Sequence, residues 1–226
     1  MRGAVVILLA AGSGERLGLA TPKAFVELAG RPMLVHAATS ALECPDVASI
    51  LAVVPAGWED AANELLDPIG PHAVVSGGPT RQASVRAALA AISSGDVLVC
   101  HDAARPFASP ALFSAVVSAL AGADGAVPVL AVADTVKRVR GGIVDATEPR
   151  DGLALAQTPQ AFDSSALRDA HDRAEREGVE VTDDAAALEW AGYRVSAVPG
   201  EVRNFKVTTP EDLARAELVA SELARG

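Results

Sequence analysis

The sequence predicts an α/β fold: a mostly parallel sheet with helices on both faces and one protruding β-arm. Three observations predict it. Short apolar runs alternate with helical patterns along most of the chain, as in strands buried on both faces and joined by helical crossovers. Half of the 226 residues are hydrophobic and only 4% are aromatic, so the core is expected to be mostly Ala, Val and Leu. One stretch, about residues 132–156, breaks the alternation and reads as a hairpin arm. The length suits one domain over 1–226.

The elements follow in order. Residues 4–10 are an unbroken apolar run ending in Gly12-Ser13-Gly14, a first buried strand. The run is too short, and its basic flank too slight, to be read as a signal peptide. Arg31-Pro32 opens a helix to about Leu42, because Pro is tolerated where the N–H has no helical partner. Residues 50–54 read as a strand, 58–66 as a helix and 72–75 as a short strand. Thr80 starts an amphipathic helix with Val85, Ala88, Leu89 and Ile92 at i, i+3, i+4 and i+7. Residues 97–100 form a strand running into HDAARP. Leu112, Val116, Ala119 and Leu120 mark a helix, and 126–129 a strand.

The arm is VADTVKRV and IVDATEP flanking Gly141-Gly142. Residues 164–176 and 183–191 read as helices, the second stopped by Gly192, and 193–198 as a strand. In the last helix Thr209 caps, Pro210 takes the first position and Asp212 completes a capping box. Its buried stripe is Ala216, Val219, Ala220 and Leu223.

A net charge of −10 and a pI near 4.8 argue against non-specific binding to nucleic acid or a membrane surface, which needs a basic patch. No apolar run approaches the ~18 residues of a membrane span. Cys44 and Cys100 form no C-x-x-C pair, which suggests small buried residues in a reducing, cytoplasmic setting.

In such sheets ligands bind at the carboxyl ends of strands, and three candidate segments lie there. The first is LLAAGSGERLG…TPK, 8–23. Ala10, Ala11, Gly12 and Gly14 let backbone N–H groups approach a polyphosphate, and Arg16 and Lys23 supply charge. Pro22 is expected to hold Lys23 extended. The segment is neither a Walker loop nor a full G-x-G-x-x-G, since Leu17 replaces the third Gly. A plain strand-to-loop turn with two surface cations remains open. The chain has sixteen arginines but only Lys23, Lys137 and Lys206 as lysines. Where Arg is the default cation, a retained Lys suggests that a compact point charge is wanted.

The second segment is SGGPTRQASV, 76–85, where Gly77-Gly78 leads into a helix start and Ser84 lies one turn in. It reads either as a ligand-binding helix start or as a plain cap beside a solvated Arg81. The third is HDAARP, 101–106. Asp102 suits Mg²⁺, which needs one or two protein carboxylates when phosphates supply the rest. Arg105 could pair with a phosphate. His101 reads as a hydrogen-bonded structural residue, because an ionised phosphate nucleophile needs no base.

Together with DTVKR at 134–138, TPQAF at 158–162, TDDA at 182–185 and NFKVTTPEDL at 204–213, these segments resemble the 2-C-methyl-D-erythritol 4-phosphate cytidylyltransferase family over essentially the whole chain. The resemblance implies a Rossmann-like fold, Mg²⁺ dependence and transfer of CMP from CTP to methylerythritol phosphate in non-mevalonate isoprenoid synthesis. It also implies a homodimer whose arm reaches the partner's active site. Ala10, Ala11, Gly12 and Gly14 would wrap the CTP phosphates, and Arg16 and Lys23 would stabilise the transition state. Gly78 and Ser84 would contact the cytosine and its surroundings. Asp102 would hold Mg²⁺, with Mn²⁺ left open, and Arg105 would lie near the substrate. Thr135 and Arg150 on the arm would bind the sugar phosphate, with Thr158, Thr182 and Lys206 completing that pocket. Pro79 departs from relatives that carry Asp after the Gly pair.

Two alternatives stand beside this reading. Ribitol-5-phosphate cytidylyltransferases share the Gly-rich loop, TPQ and Asn-x-Lys-x-Thr, and Ala104 in HDAARP leans away from them. A non-catalytic nucleotide-binding module is the other, since fold alone does not prove activity. A dinucleotide-dependent oxidoreductase ranks lower, lacking the third Gly and a clear ribose-binding acid.

Overall fold

The computed structural model describes residues 3–12, 14, 21–93 and 95–225. In chain order the elements are β1 (Ala4–Leu9), β2 (Glu27–Leu28), β3 (Arg31–Pro32), α1 (Met33–Leu42), β4 (Val47–Val54), α2 (Glu59–Leu66), β5 (His72–Ser76), α3 (Arg81–Ala91), β6 (Val97–Asp102), α4 (Pro110–Ser118) and β7 (Gly125–Ala131). The arm strands β8 (Val136–Arg140) and β9 (Ile143–Glu148) follow, then β10 (Ala154–Ala156), β11 (Gln160–Asp163), α5 (Ser164–Glu177), α6 (Asp184–Ala191), β12 (Val195–Pro199) and α7 (Pro210–Leu223).

The main sheet runs β5–β4–β1–β6–β11–β7, with β10 and β12 also paired to β7. The pairs β1–β4, β1–β6, β4–β5 and β7–β12 are parallel; β10 and β11 run antiparallel to their neighbours. The alternation of a strand explains the unbroken apolar run of β1. Val6 and Leu8 pack into the core shared with α1, α2 and α4, whereas Ile7 packs with α3, α5 and α6 on the other face. A smaller third core joins α7, through Ala216 and Ala220, to Leu28, Met33, Phe107 and Val207.

The chain leaves β1 through α1 on one face and enters β6 through α3 on the other. The winding therefore reverses between β1 and β6, and a crevice opens outside their carboxyl ends. Backbone bonds tie the end of β1 to both neighbours, from Ala10 N–H to Val53 O of β4 at 2.8 Å and from Ala103 N–H, just past β6, to Leu9 O at 3.0 Å.

Several expectations are corrected. Arg31-Pro32 is a short strand paired with β2, and the helix begins at Met33. The chain turns sharply at Ala29 (φ 50°) and Gly30 (φ 75°), and pairing to Leu28 keeps Arg31 extended. Leu223 is 53% exposed, because α7 outruns the small core it packs on. The short strands β10 and β11 lie in segments where the pattern predicts no strand. Thr209 and Asp212 do form the capping box, and Gly192 ends α6 in the left-handed region.

The arm is as the sequence suggests. Gly141 (φ 54°) and Gly142 (φ 81°) make the turn, and among the described residues β8 and β9 pair only with each other. Among the described residues no helix is long and apolar enough to cross a membrane.

Candidate functional site

A cleft of about 560 Å³ lies at the carboxyl ends of β1 and β6. A second hollow of about 740 Å³ lies among Arg31, Glu43, Phe107, Ser109, Arg203 and Leu223. Size favours the second, but chemistry favours the first. Only the first gathers Gly-rich backbone, two lysines and the carboxylate at the end of β6.

One wall is the loop after β1. Ala10, Ala11, Gly12 and Gly14 line it together with Lys23. Gly14 has φ 72°, and a Cβ there would come 2.9 Å from the Lys23 Cβ. Glycine thus lets the backbone at position 14 come against Lys23. The extended geometry expected at Lys23 stops one residue earlier. Pro22 is extended, but Lys23 opens a short 3-10 turn, anchored by the buried Ala24 and Phe25. Arg16 lies outside the described residues.

The opposite wall is the Gly77-Gly78 turn and the start of α3. A Cβ on Gly77 would meet the Ala11 Cβ at 2.5 Å, so the two walls touch because this residue has no side chain. Thr80 caps α3 by accepting from Ala83 N–H at 3.0 Å. Ser84 is buried and lines the cleft. Its hydroxyl donates to Thr80 O at 3.0 Å and accepts from Gly78 N–H at 3.1 Å, which ties the turn to the helix.

Asp102, at the last position of β6, is the centre of the site. Lys206 Nζ is 2.6 Å from Oδ2, and Arg81 Nε is 3.4 Å from Oδ1. Burial alone would raise the Asp102 pKa, but Arg81 and Lys206 outweigh it and hold the carboxyl well below the usual range. From behind, Thr158 Oγ1 accepts from Asp102 N–H at 3.0 Å and lies 3.1 Å from His101 Nδ1. His101 is fully buried, and its Nε2 faces Arg105 O at 3.2 Å. Burial is the main cause that pushes its pKa down to about 4, with Asp102 only partly opposing. It sits as the structural residue the sequence suggests.

Arg81 is not the solvated side chain of the plain-cap reading. Its Nη2 lies 2.8 Å from Oδ2 of the fully buried Asp184. Burial disfavours the guanidinium charge, but Asp184 and Asp102 outweigh it and raise the Arg81 pKa. Sequence reasoning missed Arg81 and Asp184 as a pair. The available signal was a His on the apolar face of α5: His171 lies among Leu167, Ala170 and Ala174, and its Nε2 is 3.1 Å from Asp184 Oδ1. Buried Gln160 was missed too. Its amide donates to Asp183 Oδ2 at 2.8 Å and accepts from Ala185 N–H at 3.2 Å, stitching TPQ to TDDA.

The remaining candidates lie outside the cleft wall. Thr158 is beneath Asp102, and Thr182 is exposed before α6. Arg105 turns to backbone oxygens, donating to Asn204 O at 2.8 Å and Ala156 O at 3.4 Å. Thr135 and Arg150 are exposed on the arm, where the Arg150 guanidinium donates to Ala133 O.

A concave site with Gly-rich backbone, lysines on two sides and a well-ionised carboxylate suits a polyphosphate and its transfer. Comparison with known proteins agrees. Residues 4–222 match the family model for "IspD: 2-C-methyl-D-erythritol 4-phosphate cytidylyltransferase". The chain is 45% identical, over 97% of its length and 90% of the relative's, to the enzyme of that name from Deinococcus radiodurans. It is 45% identical over 93% of its length to the bifunctional enzyme IspD/IspF of Rhodopseudomonas palustris, and it spans about half (54%) of that relative. The crystal structure of the Thermus thermophilus cytidylyltransferase superposes with a TM-score of 0.82 at 37% identity, covering 98% of this chain and 100% of that one.

Proposed function

This chain belongs to the 2-C-methyl-D-erythritol 4-phosphate cytidylyltransferase family, and on that footing we propose that it transfers CMP from CTP to 2-C-methyl-D-erythritol 4-phosphate. The products are 4-diphosphocytidyl-2-C-methyl-D-erythritol and pyrophosphate. The observation that carries the reading is Asp102, buried at the end of β6 and facing a Gly-rich loop, with Lys206 on one oxygen and Arg81 on the other.

A phosphate oxygen of the sugar attacks the α-phosphorus of CTP in line. The new P–O bond forms as the bond to the β-phosphate oxygen breaks, and pyrophosphate leaves with that electron pair. The nucleophile is ionised at neutral pH, so no side chain need take a proton. What remains is positioning and charge. The N–H groups of the loop after β1 face the triphosphate. Lys23 and Lys206 offset charge that builds on the equatorial oxygens and the leaving group, and Arg16 has the same role in this reading. Gly78 and Ser84 bound the base, and Thr135, Thr182 and Arg150 serve the sugar phosphate, while Thr158 beneath Asp102 and Arg105 on Asn204 O and Ala156 O support that pocket from behind.

Mg²⁺ fits this donor set. Asp102 offers one ionised oxygen that Arg81 approaches only to 3.4 Å. Among the described residues no three His, Cys, Asp or Glu side chains cluster as an all-protein cage. One carboxylate beside phosphates and water is the environment Mg²⁺ prefers. Bound there, it would neutralise phosphate charge.

The same reading includes a homodimer built through the arm, supported by the exposed Val139, Ile143 and Val144. A reducing, cytoplasmic setting is supported by two buried free thiols, Cys44 and Cys100. The test is pyrophosphate release from CTP and Mg²⁺, with methylerythritol phosphate or ribitol 5-phosphate in parallel tubes. Release with the first alone is expected. Release with the second alone overturns the substrate, and silence in both overturns the reaction.

A further inference from the structure

Asp102 is held by a side chain to which the transfer reaction gives no part. Arg81 opens α3, and its guanidinium lies between two buried carboxylates from distant parts of the chain. Nη2 is 2.8 Å from Asp184 at the start of α6, and Nε is 3.4 Å from Asp102 at the end of β6. Asp184 is in turn backed by His171 at 3.1 Å, from the buried face of α5. The chain of contacts ends at Lys206, 2.6 Å from the other Asp102 oxygen. Each oxygen of Asp102 therefore has its own cation, and the plane of the carboxylate cannot turn without stretching one of the two contacts.

A buried ion pair is a weak source of stability, because desolvation offsets most of its attraction. Keeping Arg81 in the cleft wall with Asp184 buried behind it therefore suggests a use in the site. A planar guanidinium can present Nε to one carboxylate and Nη2 to another, which a lysine ammonium cannot do over the same span. Without Arg81 the whole charge of Asp102 would fall on Lys206 and withdraw that cation from the substrate.

Resting on the transfer reaction proposed above, we propose that Arg81 is a positioning residue for that step, anchored by Asp184 so that it orients the Asp102 carboxylate and keeps Lys206 available to the substrate phosphates. Arg81 acts through Asp102 and need not touch the reacting atoms.

The test compares wild type, Asp184→Asn and the charge-neutral double variant Arg81→Met/Asp184→Asn. Steady-state kcat, both KM values and the thermal midpoint are measured for each. Asp184→Asn is expected to lower kcat by ~10²-fold, the scale of a misplaced group, with both KM values within about threefold. The double variant removes the pair without leaving a lone buried charge. It is expected to regain most of the lost thermal midpoint while kcat stays low. A double variant that regains both would reduce the pair to a structural role and overturn the proposal. So would an Asp184→Asn enzyme with wild-type kcat. If Asp184→Asn does not fold, the double variant still decides. A wild type silent with both polyol phosphates sinks the proposed reaction and this inference with it; an active wild type with equally active variants sinks the inference alone.

Discussion

The cleft and the arm are built on opposite principles. In the cleft, Arg81, Asp102 and Lys206 find partners in distant parts of the chain, while Thr80, Ser84 and Thr208 bond within a few residues. Ser84 ties the Gly77-Gly78 turn to α3, Thr158 holds Asp102 from behind, and Gln160 joins β11 to α6. In the arm, among the described residues, the strands β8 and β9 pair only with each other, and Val139, Ile143 and Val144 are 56%, 74% and 58% exposed. Its ion pairs, Arg138–Glu148 at 2.7 Å and Arg140–Asp145 at 3.1 Å, are exposed and worth little. A two-stranded ribbon with exposed apolar side chains is marginal by itself. The cleft is shaped from within the chain, whereas the arm leaves its apolar side chains exposed.

The strongest way to break this contrast is at Lys23. Lys23→Ala should lower kcat by ~10²-fold or more, the cost of one transition-state charge contact. An unchanged kcat would remove Lys23 from the catalytic set. Acid should also act on the cleft side. His101 is ordinarily near 6.5 and is pushed down to about 4 in the fold. Its folded pKa is depressed, so the unfolded chain takes up the proton first as pH falls. Stability on the order of 3 kcal/mol should be lost between pH 6.5 and pH 4. Thermal melts across that window should show the loss, and His101→Asn should flatten it.

Gly77→Ala sharpens the contrast at one atom. Its Cβ would stand 2.5 Å from the Ala11 Cβ, so the walls must part. A loss of ~1–3 kcal/mol in chemical denaturation is expected, with a raised KM for CTP. The arm should answer differently. Arg150→Ala should raise KM for the sugar phosphate and leave KM for CTP near its original value; a rise for CTP alone would unseat Arg150 from the sugar side. The smallest effect on chain stability is expected at Ile143→Ser. It should lie within about 0.5 kcal/mol of wild type at protein concentrations where the chain is monomeric, as for other exposed positions. Sedimentation should nonetheless show weaker self-association. A variant that lost fold stability without losing association would mean that the arm packs on its own body.

The sequence by itself determined what local physics controls. The β1 run, the α3 stripe, the Gly141-Gly142 hairpin and the Thr209–Asp212 box were legible because each depends on residues a few positions apart. The Gly-rich loop and Asp102 were legible because they stand at the ends of buried strands, Lys23 and Lys206 because lysine is scarce in this chain, and the role of Lys206 only through the family resemblance. Tertiary structure alone decided the rest. Arg31-Pro32 became a strand because Leu28 pairs with Arg31 across a left-handed turn. Gln160–Asp163 became one because β6 and β7 leave a place between them that an antiparallel strand fills. The Arg81–Asp184 pair joins residues far apart in the chain, and only the fold brings the two charges close enough for their attraction to offset the loss of water around each.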